Sequence, residues 1–111
     1  MSNAIDALRR SYLTAGLSDD ELTWLAGRTQ QRHYAAGDTV FAEGDPGNAL
    51  FVIESGEVRI SRASSTGQPL TLDTLYEADA FGGLALLDGA LFNDTATTEI
   101  YTSVVALYRD D

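Results

Sequence analysis

His33 is the only histidine of the 111-residue chain and cysteine is absent. The side chains that usually perform nucleophilic, redox or transition-metal chemistry therefore reduce to one imidazole. A structural or catalytic transition-metal site draws on two or three His or Cys ligands, so no metal centre is expected. The lack of thiols also excludes disulfide staples, zinc ribbons and iron–sulfur clusters. Serines, threonines and acids are plentiful, but a hydroxyl nucleophile needs a base beside it, and the sequence offers no His or Cys partner. Catalysis is not expected. His33 itself reads as a partly exposed strand residue.

The charges exclude a second group of functions. Acidic residues number 17 against 7 basic ones, for a formal net charge of −10. Every basic residue is an arginine, and Arg9, Arg10, Arg28, Arg32, Arg59, Arg62 and Arg109 are scattered along the chain. Nucleic-acid backbones and anionic lipids are held by clustered positive charge, so this segment is expected to contact neither. Hydrophobic residues make 44% and charged residues 22% of the chain, an ordinary globular balance. The length fits one domain. No run approaches the ~18 apolar residues of a membrane span, and no basic-then-apolar leader opens the chain. No membrane insertion and a cytoplasmic location are the expectations. Ser2, Asn3 and Ala4 look like a cloning remnant.

The elements that would position any site fall into two groups. Residues 5–29 read as helices. Ile5, Leu8, Tyr12 and Leu13 recur at helical spacing, with Asp6, Arg9 and Arg10 on the other side. Gly16 fits a helix stop. Ser18-Asp19-Asp20-Glu21 is a capping-box pattern, and its acids suit the positive end of a helix dipole. Leu22, Trp24, Leu25 and Ala26 are expected to form the inner face of that second helix, with Gly27 ending it.

From about residue 30 to 111 the periodicity changes to short β-type runs. These are Thr39–Phe41, Ala49–Ile53, Val58–Ser61, Leu70–Leu75, Thr95–Thr98 and Ser103–Tyr108. Turn chemistry separates them at Gly37-Asp38, Gly44-Asp45-Pro46-Gly47, Gly56 and Ser64–Pro69. Many short strands at close spacing point to a sandwich or barrel. Phe81-Gly82-Gly83-Leu84-Ala85-Leu86-Leu87 interrupts them with one or two expected helical turns. No segment after Arg109-Asp110-Asp111 is at hand as an effector, so a module is expected.

Three stretches carry a resemblance: Ala36-Gly37-Asp38-Thr39-Val40-Phe41, Glu43-Gly44-Asp45-Pro46-Gly47-Asn48-Ala49-Leu50-Phe51-Val52-Ile53, and Ser55-Gly56-Glu57-Val58-Arg59-Ile60. In order and spacing they resemble the cyclic-nucleotide-binding domain family, shared by catabolite activator proteins, protein kinase A regulatory subunits and cyclic-nucleotide-gated channels. The resemblance implies a mainly β fold: a double-stranded β-helix, or jelly roll, with N-terminal helices and one short helix at the phosphate-cradle position. The glycines at 37, 44 and 56 then shape the roll, since each stands where the chain must reverse.

In that family a Phe-Gly-Glu-Leu-Ala-Leu segment opens the short helix that cradles the cyclic phosphate. Its Glu binds the ribose hydroxyl, and further along an Arg followed by a small residue pairs with the phosphate. The resemblance thus assigns the pocket to Leu72, Asp73, Phe81, Gly82, Gly83, Leu84, Ala85, Asp94, Thr95 and Ala96. The cradle is present, but Gly83 stands where the ribose Glu belongs. Matching Thr95-Ala96 to the family's small pair puts Asp94 at the arginine position, and a one-residue shift would put Asn93 there.

Losing one partner of a buried charged pair costs ~2–5 kcal/mol in affinity. A carboxylate about 4 Å from a phosphate opposes it by up to ~4 kcal/mol at an effective dielectric near 20. No arginine lies between Arg62 and Arg109, so Arg59 or Arg62 swinging in from another strand would be the replacement. The expectation is a regulatory or sensor module that binds cyclic AMP or cyclic GMP weakly or not at all, with no cofactor. Its expected associations are an effector domain or partner protein, and a homodimer. Two alternatives remain open. One is a ligand-free interaction domain presenting Trp24 or Tyr108, although either aromatic is by default core. The other is a cupin-type metal-binding roll, for which His33 alone falls short.

Overall fold

The computed structural model describes residues 3–11, 14, 16–82 and 91–108, with side chains from residue 7 onward. Among the described residues two helices, α1 (Asn3–Arg10) and α2 (Asp19–Ala26), precede eight strands. The strands are β1 (Thr29–Tyr34), β2 (Thr39–Phe41), β3 (Ala49–Ser55), β4 (Val58–Ala63), β5 (Pro69–Leu75), β6 (Ala80–Phe81), β7 (Thr95–Thr98) and β8 (Thr102–Tyr108). They form two four-stranded sheets ordered β1-β8-β3-β6 and β2-β7-β4-β5, and every pairing is antiparallel. The mainly β expectation holds, in the form of an open two-sheet roll.

Side chains on one strand alternate between faces, and that alternation sorts the core. Phe51, Ile53, Val104 and Ala106 of the first sheet meet Phe41, Val58 and Ala96 of the second, with Phe81 and Phe92 between them. The intervening Val52 and Val105 point outward and are covered by Ala7, Leu8 and Leu22. Burial on both faces explains why Phe51-Val52-Ile53 is an unbroken apolar run.

The second helix starts as its sequence requires. The Glu21 N–H donates to Ser18 Oγ at 3.2 Å, and the Ser18 N–H donates to Glu21 Oε1 at 2.9 Å. The Ser18 backbone N–H, and after it the Ser18 hydroxyl, hold the Glu21 carboxyl below its ordinary value. The expected inner face needs one correction. Leu22 is buried with Leu25 and Ala26 against it, but Trp24 is 62% exposed. Residues two apart on a helix lie on nearly opposite sides, so a face built on Leu22, Leu25 and Ala26 turns Trp24 to solvent. There the Arg28 guanidinium lies 4.3 Å from the indole centroid. Tyr12 and Leu13 lie outside the described residues.

Strand β1 reads Thr-Gln-Gln-Arg-His-Tyr and carries no apolar alternation. Its register against β8, from Thr29↔Leu107 to Tyr34↔Thr102, holds it in the sheet through backbone hydrogen bonds. His33 lies in this strand, its Nδ1 2.8 Å from Ser103 Oγ and its ring stacked on Tyr101.

Candidate functional site

The loop before β7 and the end of β4 meet at one end of the roll, and glycine geometry sets where. Gly82 has φ +85°, and a Cβ there would lie 2.9 Å from the Ala49 carbonyl oxygen and 3.2 Å from Phe92 Cε1. Only glycine combines that backbone conformation with that close approach. The chain just past Phe81 is thereby pressed against β3 and the Phe92 ring.

Phe81 belongs to the core. It pairs with Phe51 across β6 and β3, their rings stacked at 5.1 Å. Phe92 stacks on Phe41 at 3.7 Å between centroids. Its backbone is clamped to the β2–β3 turn: the Gly44 N–H donates to Phe92 O and the Phe92 N–H donates to Asp45 O, each at 2.9 Å. Phe92 is therefore the side chain this loop sends into the roll.

Asp94 is oriented differently. Arg62 donates to its Oδ1 from Nε at 3.0 Å and lies 2.8 Å away through Nη2. Arg62 continues the row of Val58 and Ile60, whose side chains face the core. The arginine considered as a replacement anchor thus does reach this loop, and there it meets the carboxylate of Asp94. Arg59 is engaged elsewhere, bound to Glu99 at 2.9 Å.

The neighbouring positions are structural in their contacts. Ala96 is fully buried between Phe41 and Ile60. Thr95 Oγ1 accepts the Glu43 N–H at 3.0 Å. On the edge strand β5, Asp73 pairs with Ile60 and shares its face, while the register jumps from Ile60↔Asp73 to Ser61↔Thr71. Leu72 is the extra residue of that bulge and is exposed. The structure therefore brings Phe81, Gly82 and Ala96 to the Phe41–Phe92 stack, ties Asp94 to Arg62 and Thr95 to the Glu43 backbone, and sets Leu72 and Asp73 across β4. Gly83, Leu84 and Ala85, and with them the expected short helix, lie outside the described residues.

Sequence reasoning did not single out Phe92 or Glu43. Phe92 carries no polar signal, and the Glu43 contact depends on a loop meeting β7 fifty residues later in the chain.

Residues 31–111 match the model of the cyclic nucleotide-binding domain. The chain is 35% identical over 104 residues to a cyclic AMP receptor protein of Thermus thermophilus, covering 94% of this chain and 48% of that one. It is 38% identical over 98 residues to a cAMP-dependent protein kinase regulatory subunit of Aspergillus niger, covering 88% and 23%. It thus spans about half the length, or less, of these curated relatives. Among solved structures, the N-terminal domain of a Streptomyces coelicolor transcriptional regulator superposes with TM-score 0.88 at 34% identity, covering 93% of this chain and 74% of that one. The regulatory domain of Toxoplasma gondii PKA, crystallised with cAMP, gives 0.89 at 30% identity, covering 97% and 41%. The family model spans well over half of the chain, and the chain belongs to the cyclic nucleotide-binding domain family.

Proposed function

We propose that the chain is a non-enzymatic regulatory module whose nucleotide pocket has lost its polar anchors, so that cyclic AMP and cyclic GMP bind weakly or not at all. The observation that carries this reading is the Arg62–Asp94 ion pair. Arg62 comes from a core-facing row of β4, and its charge is already met by a carboxylate of the loop where the family's phosphate partner is sought. A phosphate arriving there must separate that pair and then sit beside the released Asp94. It gains no net positive charge in return. At the cradle, Gly83 has no side chain to hold a ribose hydroxyl.

Backbone N–H groups alone make a poor substitute. Each charged partner missing from a buried pair costs ~2–5 kcal/mol, and every ~1.4 kcal/mol is tenfold in affinity. Two absent anchors therefore move an ordinary site beyond useful concentrations of nucleotide. By this reading the module responds to a different small ligand or serves as a docking domain. The 62% exposure of Trp24 favours the docking form.

Calorimetric titration of the parent and of a Gly83→Glu/Asp94→Arg double variant with each nucleotide tests the proposal. The parent is expected to give no saturable heat and the double variant to acquire it. Micromolar binding by the parent would overturn the reading.

A further inference from the structure

Beside the end of α1, on the outer surface of the β1-β8-β3-β6 sheet, lies a cavity of about 550 Å³. Small-ligand sites occupy roughly 300–1,000 Å³. Its sheet residues share the outward face of Val52 and Val105: Glu54 is two positions from Val52 on β3, Ser103 two from Val105 on β8, and Gln31 and His33 pair with Val105 and Ser103. The cavity is thus on the opposite face of the sheet from the core-facing side where the nucleotide pocket is sought.

The deepest polar group is Glu54, a carboxylic side chain only 7% exposed. Its Oε1 accepts the Gln31 Nε2–H at 2.8 Å. Its Oε2 is buried and meets no hydrogen-bond donor among the described residues. A buried carboxylate oxygen left in that state is costly, and native structures satisfy nearly all such atoms. The neighbours add further acceptors. Gln31, having donated its amide hydrogen to Glu54, still presents an amide oxygen, and Ser103 Oγ lies with His33 Nδ1 at the same wall. At the solvent side stand Arg9 and Arg10, whose guanidinium groups pair with Asp19 and Glu77.

The chemistry of this lining excludes most ligand classes. A metal ion would find one carboxylate and one imidazole, and no group of three His, Cys, Asp or Glu converges among the described residues. A simple anion would face Glu54, and a dication would face the two arginines. A small molecule with a positive hydrogen-bond donor at one end and a negative acceptor at the other meets both demands. We infer that this outer cavity is a second binding site, for a small amino-acid-like zwitterion whose ammonium group donates to Glu54 Oε2 while its carboxylate meets the guanidinium groups of Arg9 and Arg10. The arginines keep two carboxylate neighbours, so the ammonium end supplies the specificity.

The test titrates the parent and a Glu54→Gln variant calorimetrically with 4-aminobutyrate, n-butylamine and butyrate at millimolar concentrations. The parent's side-chain amide of Gln31 is followed by nitrogen-15 NMR in parallel. One-to-one binding of 4-aminobutyrate is expected, tighter than n-butylamine, with butyrate silent. Glu54→Gln should weaken it about tenfold or more, and the Gln31 side-chain amide signal should shift while the backbone amide of Ala96 stays in place. The proposal fails if neither amine binds, if Glu54→Gln leaves the affinity unchanged, or if the Gln31 signal does not move. Equal binding of n-butylamine and 4-aminobutyrate overturns the role given to the arginines. The NMR readout uses the parent alone, so a variant that misfolds does not shelter the claim.

Discussion

Asp94 and Phe92 sit two residues apart in one loop and answer to different forces. Asp94 is held by a charge at the rim, Phe92 by apolar contact within the roll. Replacing Asp94 by Asn removes an ion pair whose arginine is half exposed, and such pairs contribute only about 0–1 kcal/mol to stability. Urea unfolding of Asp94→Asn should therefore nearly match the parent, while the freed Arg62 gives the variant a measurable affinity for cyclic AMP. Phe92→Ala should behave in the opposite way. It removes a ring stacked on Phe41 and packed against Gly82, and buried Phe→Ala changes cost about 3–5 kcal/mol. A large drop in the urea midpoint is the expected result. Of these two residues only Asp94 was legible from the chain, because its charge stands out against a family pattern. Its partner Arg62 was visible only as one of two arginines within reach. Which one it meets is decided by strand register.

Turns and caps set the behaviour of the elements. Gly56 joins β3 to β4 with φ +116°, and a Cβ there would fall 2.3 Å from Thr102 Oγ1 and 2.7 Å from Thr102 Cα. The Thr102 backbone cannot retreat without dragging β8. Gly56→Ala should therefore cost more than the ~1–3 kcal/mol of backbone strain alone, seen as a lowered thermal midpoint. The capping box of α2 makes a prediction in pH. Glu21 is held below its ordinary value of 4.5 chiefly by its hydrogen bond to the Ser18 backbone. A carboxyl depressed in the folded state stabilises the fold above its unfolded value, and loses that contribution as pH falls through the folded one. Glu21→Gln should flatten the fall in stability below pH 4.5, and Ser18→Ala, which keeps the backbone donor, should flatten it only in part, measured by urea unfolding across that range.

Strands β3, β4 and β8 were readable because each buries an apolar face. Strand β1 was not, since Gln30, Gln31, Arg32 and His33 are exposed and only its partner β8 makes it a strand. Trp24 misled for a related reason: a large aromatic implies burial, but its helix phase places it opposite Leu22.

Over the full chain the net charge of −10 dominates. A surface so acidic repels phosphate backbones, and the seven arginines are spread too widely along the sequence to offset it. Fluorescence anisotropy with duplex DNA at low salt should show no binding by these 111 residues. Roll architecture and family were legible because glycine turns and apolar strands recur in order. The outer cavity was not, because Arg9, Gln31, Glu54 and Ser103 come from four separate elements and share no motif. Loss of the anchors in the inner pocket is decided by a single spectrum series: a nitrogen-15 NMR titration of the parent with cyclic AMP, following the amides of Asp94, Thr95 and Ala96. With Arg62 held by Asp94, these signals should keep their positions through the micromolar range. Saturating shifts there at micromolar nucleotide would show instead that the pocket still holds its ligand.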